Sequence, residues 1–253
     1  MIKLSDRLML MAAQIKQNET MADIGTDHGF LPMYLLDEGI CKKVILADVS
    51  KGSLDKAKNN MNEWADKCRE EGKIIPEDAF DFRLGDGIAV LEEGEADAVV
   101  IAGMGGILIS EILERSMSKA EKIKRFILQP RNGQGKLRYW LMQNGFSIEK
   151  ELLVREGKFI PEIIVAVPGK AKVGESDMPQ VYGHISYELP EKLLENGELA
   201  IEFLERRLAV EKRILETVPE TDENGNILNV EKIAKTKENI DYIVKLMGGR
   251  KDD

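Results

Sequence analysis

Met21-Ala22-Asp23-Ile24-Gly25-Thr26-Asp27-His28-Gly29 is the stretch that decides the fold. A short apolar run ends in an acid, turns on a glycine and passes a second acid into Phe30-Leu31-Pro32. Pro32 suits the first turn of a helix over 30–38. Strand, tight glycine turn and helix form the opening unit of a doubly wound sheet. Upstream, Ser5 is placed to cap a helix carrying Leu8, Met11, Ala12 and Ile15 at helical spacing. Downstream, apolar runs predict strands at 44–48, 80–84, 96–102 and 125–129. Between them lie a helix capped by Ser50, one over 107–115, and one marked by Leu137, Trp140 and Leu141. Only Arg155-Glu156-Gly157-Lys158 separates the runs 146–154 and 159–167, which permits a hairpin and no helical crossover. The expected architecture is therefore α/β, a mostly parallel sheet with helices on both faces and a terminal antiparallel hairpin.

After Pro168 and Gly169 the pattern stops. Residues 170–188 read as a linker. Two amphipathic segments follow at 189–218 and 227–247, joined by a Pro/Asp/Asn/Gly-rich turn at 219–225. Their stripes (Leu193, Leu194, Ile201, Leu204, Leu208, Leu215; Val230, Ile233, Ile240, Ile243, Val244, Met247) predict a coiled-coil-like antiparallel helical hairpin. The expected domains are 1–168 and 169–253.

Composition sets outer bounds. The chain has 253 residues, 36 Lys+Arg against 45 Asp+Glu, 43% apolar and 32% charged residues, and mean hydropathy −0.26. That is too apolar for a disordered chain and too charged for a membrane protein. No apolar run reaches the ~18 residues that span a bilayer, and the N-terminus lacks a signal-peptide pattern. Cys41 and Cys68 have neither metal-ligand spacing nor a disulfide framework, so a reduced, cytoplasmic setting without a bound metal is expected. The net charge of −9 argues against a broad nucleic-acid surface. Residues 1–168 hold 23 basic and 27 acidic side chains, and 169–253 hold 13 and 18. Any RNA site must therefore be a local patch.

In an open parallel sheet, ligands bind beyond the carboxyl ends of the strands. Four strand ends here carry glycines or acids. Asp23, Gly25, Asp27 and His28 form the first loop. Its two glycines do not match G-x-G-x-x-G, and Asp27 would repel a pyrophosphate. Asp48, followed by Val49 and Ser50, closes the second strand 25 residues after Asp23, placed either to bind a ribose diol or to help cap the next helix. Asp86, between Gly85 and Gly87, is either an adenine contact or a simple turn. Ala102-Gly103-Met104-Gly105-Gly106 concentrates glycine as though a ligand presses on the backbone, with Met104 offering a polarizable contact to a flat ring. Neither a P-loop nor a G-x-S-x-G elbow is present. Acids in place of phosphate-binding glycines fit S-adenosylmethionine best, because it has a sulfonium, an amino-acid end, a ribose diol and an adenine, but no phosphate.

Asp23-Ile-Gly-Thr-Asp-His28 with Leu31-Pro32, Ala47-Asp-Val-Ser50, Gly85-Asp-Gly87, Ala102-Gly-Met-Gly-Gly106 and Leu128-Gln-Pro-Arg131 resemble the bacterial tRNA (adenine-22-N1)-methyltransferases. The resemblance covers most of the first 167 residues, and the helical hairpin is similar to that family's C-terminal extension. It implies a Rossmann-like class I methyltransferase domain with a seven-stranded sheet, S-adenosylmethionine as cofactor and tRNA as partner. The cofactor set implied is Asp23, Gly25, Asp27, His28, Asp48, Val49, Ser50, Asp86, Gly87, Ala102 and Gly103. The substrate set is Gly103, Met104, Gly105, Gly106, Arg7 and Arg131. Asp27, His28 and Met104 are the catalytic candidates, with Asp27 placed to stabilise charge on the product and His28 to orient the base. Further RNA contacts are sought at Lys3, Lys16, Lys136 and Arg138, and on the hairpin at Arg206, Arg207, Lys212 and Arg213. Pro161 departs from the family pattern, standing where an aromatic is expected before Glu162-Ile163-Ile164, so an edge or bulge is expected there. The rival readings are a class I methyltransferase with another acceptor, an NAD-binding oxidoreductase and a catalytically silent RNA-binding protein. Oligomeric state is open, with a monomer favoured.

Overall fold

The computed structural model describes residues 2–76, 78–169, 181–219 and 228–248. Contacts divide the chain into Met1–Tyr182 and Gly183–Asp253.

In the first unit, seven strands form one sheet: β1 (Met21–Ile24), β2 (Val44–Asp48), β3 (Phe80–Leu84), β4 (Ala98–Met104), β5 (Arg125–Pro130), β6 (Phe146–Leu153) and β7 (Glu162–Pro168). Their order is β3-β2-β1-β4-β5-β7-β6. The first five run parallel, and β7 pairs antiparallel with both β5 and β6. Alternation along the strands feeds two cores. Ala22, Ile45, Ala47, Val99, Ile101, Phe126 and Leu128 point into one, and Met21, Val44, Leu46, Ala98, Val100 and Ile127 into the other. Each fully buried large side chain of this kind contributes roughly 1.5–3 kcal/mol. The helices are α1 (Asp6–Ala12), α2 (Phe30–Asp37), α3 (Lys51–Glu70), α4 (Gly106–Glu114), α5 (Met117–Ala120) and α6 (Gln134–Gln143). Ser5 Oγ accepts from Leu8 N at 3.4 Å and Ser50 Oγ from Ser53 N at 3.3 Å, so both expected caps form.

Several boundaries, and one side chain, differ from expectation. The fourth strand starts at Ala98 rather than 96, because Asp97 is spent on the entry turn: its Oδ2 accepts from Thr20 N at 2.9 Å and its carbonyl from Lys124 N at 3.0 Å. At its other end the strand runs past the expected Ala102 to Met104. β7 starts at Glu162, after Pro161, whose carbonyl accepts from Val154 N at 3.2 Å. Pro161 thus sits outside an interior strand, and the register shift falls in β6 between Ile148 and Lys150 instead. Arg138, expected to face RNA, is only 1% exposed. It donates from Nε and Nη2 to Glu151 at 2.8 and 2.9 Å and from Nη2 to Glu162 Oε2 at 2.5 Å. Burial works against its charge, but the two carboxylates outweigh it and hold the guanidinium above its ordinary range.

In the second unit, α7 (Ile185–Glu188) is capped by His184, whose Nδ1 accepts from Ser186 N at 3.2 Å. The expected helix over 189–218 divides into a 3-10 turn, Glu191–Asn196, and α8 (Glu198–Thr217). Gly197, at φ 64° and ψ −131°, makes the break. α9 spans Val230–Gly248. Leu193, Ala200, Leu204, Ile243 and Leu246 are buried, whereas Val230 and Val244 of the expected stripe are exposed. Arg206 and Arg207 pair within their own helix with Glu202 and Glu211. The expected turn at 219–225, apart from Pro219, and most of the expected linker lie outside the described residues. Among the described residues no helix is long and apolar enough to cross a membrane, and no group of His, Cys, Asp or Glu could hold a metal ion.

Candidate active site at the strand ends

The strand order reverses between β1 and β4, so the crevice beyond their carboxyl ends is the expected ligand site. Gly25, at φ +80°, turns the chain there, and its N–H and that of Thr26 donate to Ala47 O at 2.8 and 3.1 Å. These bonds clamp the β1 and β2 ends together. Burial pushes the Asp23 carboxyl up to about 6. Thr26 beside it opposes that rise and the charge of Asp48 adds to it. The Thr26 hydroxyl is buried beside the Asp23 carboxyl, with no other hydrogen-bond partner among the described residues. Asp48 Oδ1 accepts from Ser50 N at 2.6 Å, so one oxygen does help start α3, while Oδ2 has no partner among the described residues. Val49 is 68% exposed, and Leu84, paired with Asp48 across the β2–β3 register, is 57% exposed. Apolar surface is therefore left open beside the acid.

The remaining first-loop residues behave differently. Asp27 is exposed, 3.2 Å from His28 Nε2 and 3.6 Å from Lys56 Nζ, and the His28 ring stacks on Phe30 at 5.3 Å. Asp86 is exposed and pairs with Arg115 at 3.2 Å, and Gly87 packs where a Cβ would meet Ile112 at 2.5 Å.

The glycines of 103–106 have more packing reasons than the sequence suggested. A side chain at Gly106 would collide with the Gly133 carbonyl, and one at Gly105 would sit 3.0 Å from Asn132 Oδ1. These two glycines let the start of α4 close on the start of α6. Gly103, at φ +76°, lies against the Arg131 guanidinium. Met104 folds across Gly25 and occupies the space a Cβ would need there. Ala102, half-buried, packs against the second core.

A cavity of about 320 Å³ opens beside these ends. Gly103, Gln129, Pro130 and Arg131 form one wall, Glu156, Phe159, Ile160 and Pro161 another, with Arg7 and Gln134 completing it. Arg7 Nε donates to both Glu156 oxygens at 3.1 and 3.3 Å, and its Nη1 to Gln129 Oε1 at 3.0 Å. Arg131 is exposed, with no ion pair among the described residues. Of the substrate candidates, Arg7, Gly103 and Arg131 line this cavity. Met104, Gly105 and Gly106 do not, nor do Asp27 and His28. Gln129, Gln134, Glu156 and Phe159 are the additions the sequence reading missed. The exposed aromatic beside the glycine at a hairpin tip, Gly157-Lys158-Phe159, was the available signal.

A "Methyltransferase domain" family model matches residues 4–164. The chain belongs to the methyltransferase-domain family. Within it, the chain is 35% identical over 168 residues to the tRNA (adenine(22)-N(1))-methyltransferase of Bacillus subtilis (strain 168), covering 66% of each protein. It thus matches about two thirds of that relative's length. The crystal structure of the B. subtilis m1A22 tRNA methyltransferase superposes on this family member with TM-score 0.76 at 26% identity, over 98% of this chain and 100% of that one. A Streptococcus pneumoniae protein in complex with S-adenosyl-L-methionine matches with TM-score 0.73 at 27% identity, over 97% and 100%. The fold of this methyltransferase chain is thus the Rossmann-like one that the resemblance implied.

Proposed function

We propose that this chain transfers a methyl group from S-adenosylmethionine to N1 of adenine 22 in the D-loop of tRNA. One observation carries the reading. Asp23 with the buried Thr26 hydroxyl beside it, and the Asp48 oxygen that has no partner among the described residues, lie at the neighbouring carboxyl ends of β1 and β2, with apolar Val49 and Leu84 beside Asp48. A cationic amino-acid end suits Asp23, a ribose diol the Asp48 oxygen and a flat adenine the apolar Val49 and Leu84, whereas both acids would repel a pyrophosphate. S-adenosylmethionine supplies an electrophilic methyl: an N1–C bond forms as the S–C bond breaks, the electron pair stays on sulfur, and the base takes the positive charge.

The protein's part is binding and alignment. Adenine N1 already has an in-plane lone pair, so no residue must deprotonate it. Asp48 accepts from the ribose diol, Asp23 faces the cationic end, and Val49, Ser50, Asp86, Gly87 and Ala102 frame the adenosine. Gly103 lets the two ligands approach across a side-chain-free backbone. Asp27 and His28, coupled to each other at the rim, are assigned to the cofactor side. Arg131 is assigned to a phosphate of the target nucleotide, and Met104, Gly105 and Gly106 to holding the loop. Lys212 and Arg213, exposed on α8, are assigned a contact of their own to the RNA. The proposed division is a methyltransferase domain at 1–168 and an RNA-engaging helical appendage at 169–253. The proposed setting is the cytoplasm, consistent with two buried free thiols.

The test is Asp48→Ala and Asp27→Ala, with cofactor affinity and single-turnover methyl transfer measured separately. Retained cofactor affinity in Asp48→Ala would sink the ribose assignment.

A further inference from the structure

We propose that Glu156 and Phe159 select the target base: the Glu156 carboxylate accepts a hydrogen bond from the adenine N6 amine, and the Phe159 ring stacks on the base. The inference rests on the acceptor reading above and adds its specificity-determining residues.

Glu156 and Phe159 face each other across the two-residue loop Gly157-Lys158. Their backbones exchange both hydrogen bonds, Glu156 N to Phe159 O at 3.0 Å and Phe159 N to Glu156 O at 3.1 Å. Directly opposed residues of an antiparallel pair project to the same face, so an acceptor and an aromatic are presented together. Both line the cavity. Phe159 is 64% exposed although apolar, with Lys158 Nζ over its ring at 5.3 Å from the centroid, so a base stacks on the other face or displaces that lysine. Glu156 is held in place by Arg7, from α1, which reaches both its oxygens. Arg7 is thus a positioning residue. The same guanidinium takes Gln129 Oε1, and the Gln129 amide donates to Pro130 O at 3.2 Å. That glutamine oxygen is therefore committed. The carboxylate is partly open to solvent, and it retains lone pairs for a ligand.

Base chemistry sets the preference. Beside N1, adenine offers the N6–H donors, which a carboxylate accepts. Guanine offers O6 there, which a carboxylate repels. As the N1–C bond forms and the ring becomes cationic, N6–H becomes a stronger donor. The hydrogen bond to Glu156 therefore strengthens during transfer and favours the transition state over the ground state.

The experiment uses full-length chain and tRNA transcripts carrying either adenosine or purine ribonucleoside, which lacks the N6 amine, at the target position. Wild type, Glu156→Ala, Glu156→Gln and Phe159→Leu are compared for kcat and KM on both, with thermal melting and cofactor affinity alongside. Glu156→Ala is expected to erase about 10- to 100-fold of the adenosine preference, mainly through kcat. Glu156→Gln, which keeps an accepting oxygen, is expected to erase only part. Phe159→Leu raises KM for both substrates and leaves the ratio unchanged. Cofactor affinity is unaltered in all of them. A wild-type preference that survives intact in both Glu156 variants overturns the assignment, and the isosteric Gln variant decides it should the Ala variant fail to fold. A wild-type chain that methylates no tRNA adenine overturns the proposed function itself, a distinct outcome read without any variant.

Discussion

The proposed function gives the crevice over β1–β3 to the cofactor and the cavity beside β5–β7 to the base, and the two are built in opposite ways. The crevice is made of consecutive residues: Asp23 to Thr26 on one loop, Asp48 to Ser50 on the next. Its walls are apolar strands, and among the described residues one Asp48 oxygen has no partner while the buried Thr26 hydroxyl has at most Asp23 beside it. The cavity is assembled across the chain, with Arg7 meeting Glu156 149 positions away and Gln129 122 positions away, and the charges of Arg7 and Glu156 are already paired with each other. The first half can bind a ligand by supplying missing partners. The second must hold its own residues in place before it can read a base.

The largest effect should come from the support of the second half. Arg138 ties β6 to β7, the hairpin that carries Glu156 and Phe159. Arg138→Leu leaves Glu151 and Glu162 buried without their counter-charge and is expected to cost about 3–5 kcal/mol in chemical denaturation. A loss under about 1 kcal/mol would mean the cavity does not depend on this pairing.

Next comes the crevice. Asp48→Ala removes a charged acceptor worth about 1.5–3 kcal/mol, so cofactor affinity should fall about 10- to 100-fold by calorimetry while tRNA affinity holds. Equal losses in both would merge the two halves.

Asp23 gives the comparison a pH signature. Its native value near 6 lies above the ordinary 3.8, so its contribution to stability is present below pH ~4 and is lost as pH rises through about 6. Asp23→Asn should therefore stabilise the empty chain at pH 8, by a value of order 1–3 kcal/mol. A cationic ligand end prefers the ionised acid, so wild-type cofactor affinity should rise through pH 6, and the variant should lose that rise. A flat wild-type profile would remove Asp23 from the cofactor contact.

The smallest effect is at the cavity mouth. Arg131→Ala should weaken tRNA binding less than tenfold and lower the slope of log affinity against log salt by about one unit. An unchanged slope would take Arg131 off the phosphate.

The same contrast explains what could be read from the amino acids. The five parallel strands, the terminal hairpin and the family resemblance were legible because apolar periodicity and loop motifs are local signals. Asp97 moved the start of β4 because its side chain serves the entry turn, a contact 77 positions away that no window contains. The crowding at Gly106 comes from Gly133, so a glycine run that looked like a ligand cradle is in part a helix-packing contact. Arg138 resembled a surface base in sequence, and only its two buried carboxylates explain its place. Glu156 and Phe159 went unmarked because each is ordinary alone, and their pairing appears once the hairpin closes.

The central claim is met most directly by one assay. Purified chain is incubated with S-adenosylmethionine and unmodified tRNA, and the digested nucleosides are analysed by mass spectrometry with the site mapped by reverse-transcription stops. The account predicts 1-methyladenosine at position 22, abolished when that adenine is replaced. Methylation of a different base, or none with folded, cofactor-bound protein, would contradict it.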